Sequence, residues 1–596
     1  MWDLEQLRRI RVMALLVAAV MAVLLLRLVW LQLYQGPQYK KIAEENRIRQ
    51  IADPAPRGII YDRNGAAVVS NRPAFAVSVM PAEYDRSESN GVLAGILGLS
   101  TDEINQMLQA AEDTPYTPIR LKRDVDAATI AKIEERKSGL SGVFVEAIPV
   151  RHYLYRQLAA HLFGYIGVIS EEEYRQRRNQ GYHFSDLVGK DGIEKVWEDM
   201  LRGQEGGLQV EVDATGREVQ IVGDKRAVAG KSLVLTLDAN LQKAAEEALQ
   251  QQIERARRTG APATGGAVVV LEVKTGGVLA LASSPSFDPN LFSGGISSKA
   301  WNDLIGNEDH PLTNKTIQSA YPPGSVFKIV TASAALDLGI TTPAEVFYDK
   351  GVYVLNGWSF YGWNIKGLGE LDIIGALAWS SDPVFYELGH RMGAGHLADY
   401  ARTFGFGRLT GIKLPGETEG IVPTESWKAA TFGQEWYPGE TLIAAIGQGY
   451  YLATPLQQAM LLMAVANGGV MYRPLIVDKV LSADGSKVLA QYQPEVFQTV
   501  YLKPEIWDTV RKGLISVTTE GTGAAVFKDL DVTVAGKSGS SETGKGTVHS
   551  WFSCYAPAGE PAIAVAVLVE EGGEGSAAAA PVVRKVLEYY FAGKSQ

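Results

Sequence analysis

The chain has 596 residues, 46% hydrophobic and 21% charged, with acidic and basic side chains well mixed and a formal net charge of -10. Such a composition is globular and long enough for two or more domains with sizeable cores, and without a basic face or run it sets nucleic acid aside. A single cysteine, Cys554, excludes an internal disulfide framework or thiolate metal site, and the seven scattered histidines hold no H-E-x-x-H, so no metal or other cofactor is expected.

The predicted elements begin with a membrane segment. Val12 to Leu26 is an uninterrupted apolar run, and after Arg27 the apolar character resumes as far as Leu33. Together these suffice to cross a bilayer. Arg8, Arg9 and Arg11 precede the run, so the positive-inside rule makes residues 1–11 a cytoplasmic tail, 12–34 a transmembrane anchor, and everything after about Tyr34 external. No A-x-A-like site follows Trp30, which argues against a cleaved signal peptide.

Residues 35–230 are mixed in texture. Ala55 to Ser70 carries Asn64-Gly65, a hairpin turn between two apolar strands, and Gln209 to Val222 predicts a second hairpin. Thr101 to Ala111 and Ala127 to Arg136 predict amphipathic helices, and Gly189 to Gly206 predicts a helix between glycine stops. With no catalytic cluster in view, the region is expected to be a mixed α/β pedestal or docking domain.

Residues 231–596 form a second region. Val234 to Asp238 predicts a strand and Asn240 to Arg258 a long helix; Ala267 to Val273 is expected to pair with Val278 to Ser283. A mostly helical stretch runs to about Gly469. Strands follow at Val532 to Ser540, His549 to Ala556 and Ile563 to Glu570, then a helix from about Ala577 to Phe591. The paired strands Ala267 to Val273 and Val278 to Ser283 before the helical stretch and three strands after it predict an α+β fold: a five-stranded antiparallel sheet assembled from both ends, flanked by helices, with a helical block inserted.

Tyr321 to Ile340 predicts a turn, set by Pro322, Pro323 and Gly324, feeding a buried helix. Ser325 and Lys328, three apart, would share one helix face, the spacing of a nucleophile and its base. Lysine-Ser/Thr-Gly triplets occur at Lys137, Lys274 and Lys537, but only Lys537-Ser538-Gly539 ends an apolar strand and runs into Ser540. Such a strand edge can bind an extended substrate by its main chain while the lysine meets a carboxylate. A phosphate loop fails there, because Asp531 stands where its first glycine must be, and Gly230-Lys231-Ser232 fails likewise at Lys225. Of the Ser-x-Asp triplets at Ser100, Ser286, Ser380 and Ser482, only Ser380-Ser381-Asp382 lies in the helical stretch between the Ser325 and Lys537 motifs.

The order S-x-x-K, S-x-[ND], K-[ST]-G resembles the signature of penicillin-binding proteins and active-site-serine β-lactamases. The likeness extends to Glu45 to Arg49, Arg57 to Gly65, Gly192 to Glu194 with Leu201 to Gly203, Gly447 to Gly449 with Thr454 to Gln457, and His549 to Phe552. Over essentially the whole chain it is similar to class B enzymes of the rod-elongation type. The resemblance implies the penicillin-binding-protein transpeptidase fold and a peptidoglycan D,D-transpeptidase serving cell-wall elongation and cell shape. Ser325 would be acylated by a stem peptide ending in D-Ala-D-Ala, or by a β-lactam. Lys328 would be the base, Ser380 the proton relay beside Asp382, Lys537 and Ser538 the carboxylate site with Gly539, and the Ser325 and Ser540 N–H groups the oxyanion hole.

It further implies a single-pass protein of the bacterial inner (cytoplasmic) membrane, its C-terminal domain periplasmic, docked to a RodA-like SEDS glycosyltransferase and other elongation-complex membrane proteins. Asp382 stands where many relatives have Asn, and a carboxylate beside two lysines favours their charged forms unless burial opposes it. Two rival functions use the same residues: a D,D-carboxypeptidase-type hydrolase, and a non-enzymatic β-lactam sensor or scaffold.

Overall fold

The computed structural model describes residues 4–36, 48–109, 118–212 and 218–592. Helix α1 (Leu4–Val29) runs into a π-helical turn at Trp30–Tyr34. Arg8–Tyr34 is a 27-residue span long and apolar enough to cross a membrane, and its large side chains are mostly exposed. Side chains of this kind with no protein core to join are suited to a lipid surround.

Contacts divide the chain into two compact units. The first gathers Met1–Ala55, Ala74–Pro149 and Gln204–Val228. Its core packs Val77, Val79, Leu93, Leu97, Ile104 and Leu121 among helices Arg86–Leu97, Thr101–Gln109 and Ala127–Glu135. Two of those helices begin where Asp85 and Asp126 accept first-turn N–H groups. Strands Ile48–Asp53, Gly206–Val212 and Glu218–Lys225 pair antiparallel; the last two are the hairpin expected over 209–222, its turn lying outside the described residues. Of the Glu45–Arg49 stretch, residues 45–47 also lie outside them.

The second unit gathers Pro56–Pro73, Val150–Gly203 and Ala229–Gln596, and it holds the predicted sheet. Helix α2 (Ala239–Arg258) precedes strands β1 (Gly266–Glu272) and β2 (Val278–Ser284). Helices α3 (Lys328–Asp337), α4 (Ile373–Ala378), α5 (Asp382–Met392) and α6 (Pro504–Thr519) belong to the insertion. Strands β3 (Ala535–Glu542), β4 (Val548–Ala556), β5 (Ile563–Val569) and helix α7 (Ala579–Ala592) close the unit. The sheet order is β2-β1-β5-β4-β3, every pairing antiparallel, so β3 is an edge strand.

Both faces of this sheet are buried. β1 turns Ala267, Val269 and Leu271 towards the helical block and Val268 and Val270 towards α2 and α7; β5 alternates in the same way. That is why these strands are continuous apolar runs rather than alternating ones. On the block side, helix Pro455–Ala466 is buried along its whole length against β5 and β1.

The Arg57 and Glu194 stretches, both marked out by the family resemblance, meet in this unit. Arg57 Nη2 lies 2.6 Å from Glu194 Oε2 and 2.8 Å from Glu198 Oε2, and the buried Arg151 Nε lies 2.6 Å from Glu194 Oε1. Strand Ile60–Tyr61 pairs parallel with Ser232–Leu235.

Several boundaries differ from expectation. The strand expected at Val234–Asp238 is Ser232–Leu235, because Asp238 instead caps α2, accepting from Asn240 N and Leu241 N. Between Gly189 and Gly206 stand two short helices, Gly192–Val196 and Glu198–Leu201. The helical block also contains two antiparallel ribbons, Phe347–Asp349 with Gly369–Leu371 and Val352–Leu355 with Trp358–Tyr361.

Candidate active site

The Ser325 turn is fixed from both sides. Tyr321 exchanges backbone bonds with Ala453, and Gly324 N donates to Gly447 O at 2.9 Å. Gly324 has φ +57°, and a Cβ there would stand 2.7 Å from Ser540 O, so only glycine lets the turn press against β3. Residues Gly324–Phe327 form a 3₁₀ turn and Lys328 opens α3, which corrects the expectation of one continuous α-helix. In a 3₁₀ turn, residues three apart eclipse, so the two side chains still share a side. Ser325 is half-buried and Lys328 fully buried.

The second motif is set by a strained residue. α4 ends at Ala378, and Ser380 takes φ +55°, a conformation that costs a non-glycine residue on the order of 1 kcal/mol or more. The chain then reverses, and Ser381, not Ser380, caps α5 by accepting from Val384 N. Ser381 Oγ also donates to the buried Asp349 Oδ2 at 2.6 Å. The reversal leaves the Ser380 hydroxyl and the Asp382 carboxylate facing Lys328.

Lys328 Nζ donates to Ser380 O (2.9 Å), Ser380 Oγ (3.2 Å) and Asp382 Oδ1 (2.6 Å). These three acceptors would take up all three protons of the charged form, whereas the neutral amine, with two protons and a lone pair, leaves one contact unfilled; among the described residues none of these bonds goes to Ser325. Burial pulls the Lys328 pKa below the ordinary lysine value, and Asp382 and then Asp349 oppose it without reversing it. The short contact with Asp382 favours the charged form and burial the neutral one; we take burial to prevail, because the amine is wholly enclosed. Asp382 is held at its other oxygen, where Oδ2 accepts from Trp363 N at 3.1 Å.

Lys537 is fully buried, with Nζ donating to Ser538 O at 3.0 Å. Its pKa is pushed well below the ordinary value, first by burial and then by Lys328, while Asp382 acts in the opposite sense. The two amines and the carboxylate therefore lie within electrostatic reach of one another.

Ser325, Ser380, Asp382, Ser538, Gly539 and Ser540 line one cleft of about 700 Å³. Lys328 and Lys537 sit behind its wall. All eight residues singled out from the sequence are thus gathered at one place. Gln448, within the Gly447 to Gly449 stretch already marked by the resemblance, also lines the cleft, but sequence reasoning missed other lining residues, among them Tyr361, Trp363, Trp379, Tyr386 and Thr522. These belong to no spaced motif; the only available signal was the density of Trp and Tyr between Tyr348 and Tyr386.

Comparisons agree with this geometry. Residues 266–588 match the family described as penicillin binding protein transpeptidase domain, and residues 52–235 match the penicillin-binding protein dimerisation domain. Peptidoglycan D,D-transpeptidase MrdA of Haemophilus influenzae is 33% identical over 588 residues, covering 94% of this chain and 88% of that protein. Penicillin-binding protein PBP2 of Helicobacter pylori, solved in complex with MreC, superposes with a TM-score of 0.78 at 27% identity, covering 92% of this chain and all of that one. A chain from a structure titled as a peptidoglycan synthase complex coordinating polymerisation and crosslinking gives a TM-score of 0.73 at 32% identity, with 98% of each chain covered.

Proposed function

The chain belongs to the penicillin-binding proteins, as a peptidoglycan D,D-transpeptidase that cross-links stem peptides in cell-wall elongation, and we propose that it works through an acyl-enzyme on Ser325. The observation that carries this is the convergence of Ser325, Ser380 and Ser538 on one cleft backed by two buried amines. With Lys328 neutral, Ser325 Oγ attacks the carbonyl of the penultimate D-Ala and its proton passes to Lys328 Nζ. The Ser325 and Ser540 N–H groups hold the oxyanion, a role supported by the close approach of Gly324 to Ser540.

The C–N bond to the last D-Ala then breaks. Ser380 protonates the departing amine and is reprotonated by Lys328, to which its Oγ is already bonded. An amine of a neighbouring strand next attacks the ester, forming the new amide and restoring the Ser325 hydroxyl. Among the described residues β3 pairs only with β4, which leaves its outer edge for an extended donor peptide, with the terminal carboxylate at Ser538 and the chain running past Gly539 and Ser540. Lys537, coupled to Lys328, makes double protonation of the two amines costly and so favours a neutral base.

The test uses the full-length protein in detergent with a D-Ala-D-Ala donor, an amine acceptor and a fluorescent penicillin. Wild type is expected to release D-Ala, form amine-linked product and label, and Ser325→Ala to do none of these. Labelling of Ser325→Ala removes the assigned nucleophile; hydrolysed donor with no amine-linked product favours the carboxypeptidase.

Placement and partners follow the same reading. Arg8, Arg9 and Arg11 at the N-terminal end of the span support a single pass through the bacterial inner membrane with the cleft in the periplasm. The complexes of the relatives support a RodA-like SEDS polymerase and other elongation-complex membrane proteins as partners, docked through the anchor and residues 35–230. Co-purification that survives anchor exchange combined with replacement of residues 74–149 would contradict that docking.

A further inference from the structure

The turn after α6 brings to the cleft a hydroxyl that no motif marks. Thr522 lines the cleft with Oγ1 2.8 Å from Ser538 Oγ. Its backbone is fixed on both sides. Thr522 N donates to Ala378 O at 3.1 Å, two residues before Ser380, while Gly521 N and Gly523 N donate to Ser516 O and Val517 O. Gly521 passes so close to α4 that a Cβ would stand 2.1 Å from the Ala378 carbonyl oxygen. Thr522 therefore reaches from the segment that carries Ser380 to the strand that carries Lys537, Ser538 and Gly539, and tertiary contacts hold it there.

Two hydroxyls in mutual contact share one proton, so one O–H of the pair is used internally and the other is free to donate. A carboxylate has two oxygens and takes a bond from each hydroxyl once the mutual bond opens. Both donors are neutral, so the empty site needs no counter-charge, and bonds to an ionised acceptor are stronger than the one given up.

We infer that Thr522 and Ser538 act as a hydroxyl pair gripping the C-terminal carboxylate of the donor peptide, with Thr522 a substrate-binding residue that selects donors ending in a free carboxylate. This rests on the placement of that carboxylate at Ser538 in the preceding section.

The test compares acylation of the full-length protein by a fluorescent penicillin and by the methyl ester of its carboxylate. Thr522→Val is expected to lose about tenfold in second-order acylation rate with the penicillin, the size of one hydrogen bond to a charged group, and nothing with the ester. Thr522→Ser is expected to restore the rate. An equal loss on both compounds marks a merely structural role and overturns the inference, as does no loss on either. Ser538→Ala separates the two levels: if it treats both compounds as wild type does, the carboxylate does not lie at Ser538 and the earlier placement fails. If it loses rate only with the penicillin while Thr522→Val does not, the inference on Thr522 alone fails.

Discussion

At the scale of single residues, the proposed chemistry turns on which of two opposed forces sets the charge of Lys328. Enclosure favours the neutral amine; Asp382, bonded at 2.6 Å, favours the ammonium. Because a base must be unprotonated, the acylation rate rises with pH through the Lys328 pKa, and that rise falls below the ordinary lysine range. Replacing Asp382 by Asn removes the negative charge that raises the pKa, so the rising limb moves to lower pH. Penicillin acylation rates measured across pH check this, and a limb that moves upward would contradict Lys328 as the base. Asp382 keeps a second duty as acceptor for Trp363 N, which the Asn side-chain oxygen can retain.

At the scale of elements, the cleft exists because a 3₁₀ turn, a reversal at Ser380 and an edge strand are pressed together at points where no side chain fits. Gly324, next to Ser325, is one of these points. Ala at 324 takes on an unfavourable φ of +57° and a Cβ 2.7 Å from Ser540 O, so the turn and β3 must separate. We expect Gly324→Ala to fold, with a stability loss of about 1–3 kcal/mol, yet to acylate roughly a hundredfold more slowly, since small displacements of a nucleophile are costly. Denaturant midpoints and penicillin-labelling rates measured together would show this; equal rates would mean the Ser325 turn does not depend on its approach to β3.

At the scale of the whole molecule, the compact unit that holds the site includes Pro56–Pro73 and Val150–Gly203 as well as the C-terminal region. Gly58 N donates to Leu201 O, Leu233 N to Ile59 O, and Arg57 and Arg151 enclose Glu194. A fragment beginning at Lys231 loses all of these and exposes the edge of Ser232–Leu235. It is expected to be insoluble or to unfold well below the full-length protein in thermal scans, whereas adding back residues 56–230 restores both solubility and labelling. A stable fragment 231–596 that labels normally would show that those segments do not support the site.

Much of this was legible beforehand, for reasons rooted in local chemistry. The anchor is a composition signal, the strands β1, β4 and β5 are apolar runs bounded by turns, and Ser325, Lys328, Ser380, Asp382, Lys537 and Ser538 stand in short motifs whose order along the chain is distinctive. What stayed hidden depends on contacts between distant segments. The helix expected through Ser325 became a 3₁₀ turn because Gly447 and Ser540 fix it from outside. The ribbons in the helical block have strands of only three or four residues, too short for alternation to mark them, and the Val352–Leu355 and Trp358–Tyr361 pair has no buried residue.

The sequence by itself determined the apolar N-terminal span, the strands of the five-stranded sheet with the long helices beside it, and the order of the motifs, because hydrophobic periodicity and motif spacing act over a few residues. Only the tertiary structure decided that Lys328 is enclosed with Asp382, that Ser380 turns through a left-handed conformation, and that Thr522 meets Ser538. Burial, close approach and electrostatic coupling depend on segments that are not neighbours in the chain, and they arise only once the chain has packed.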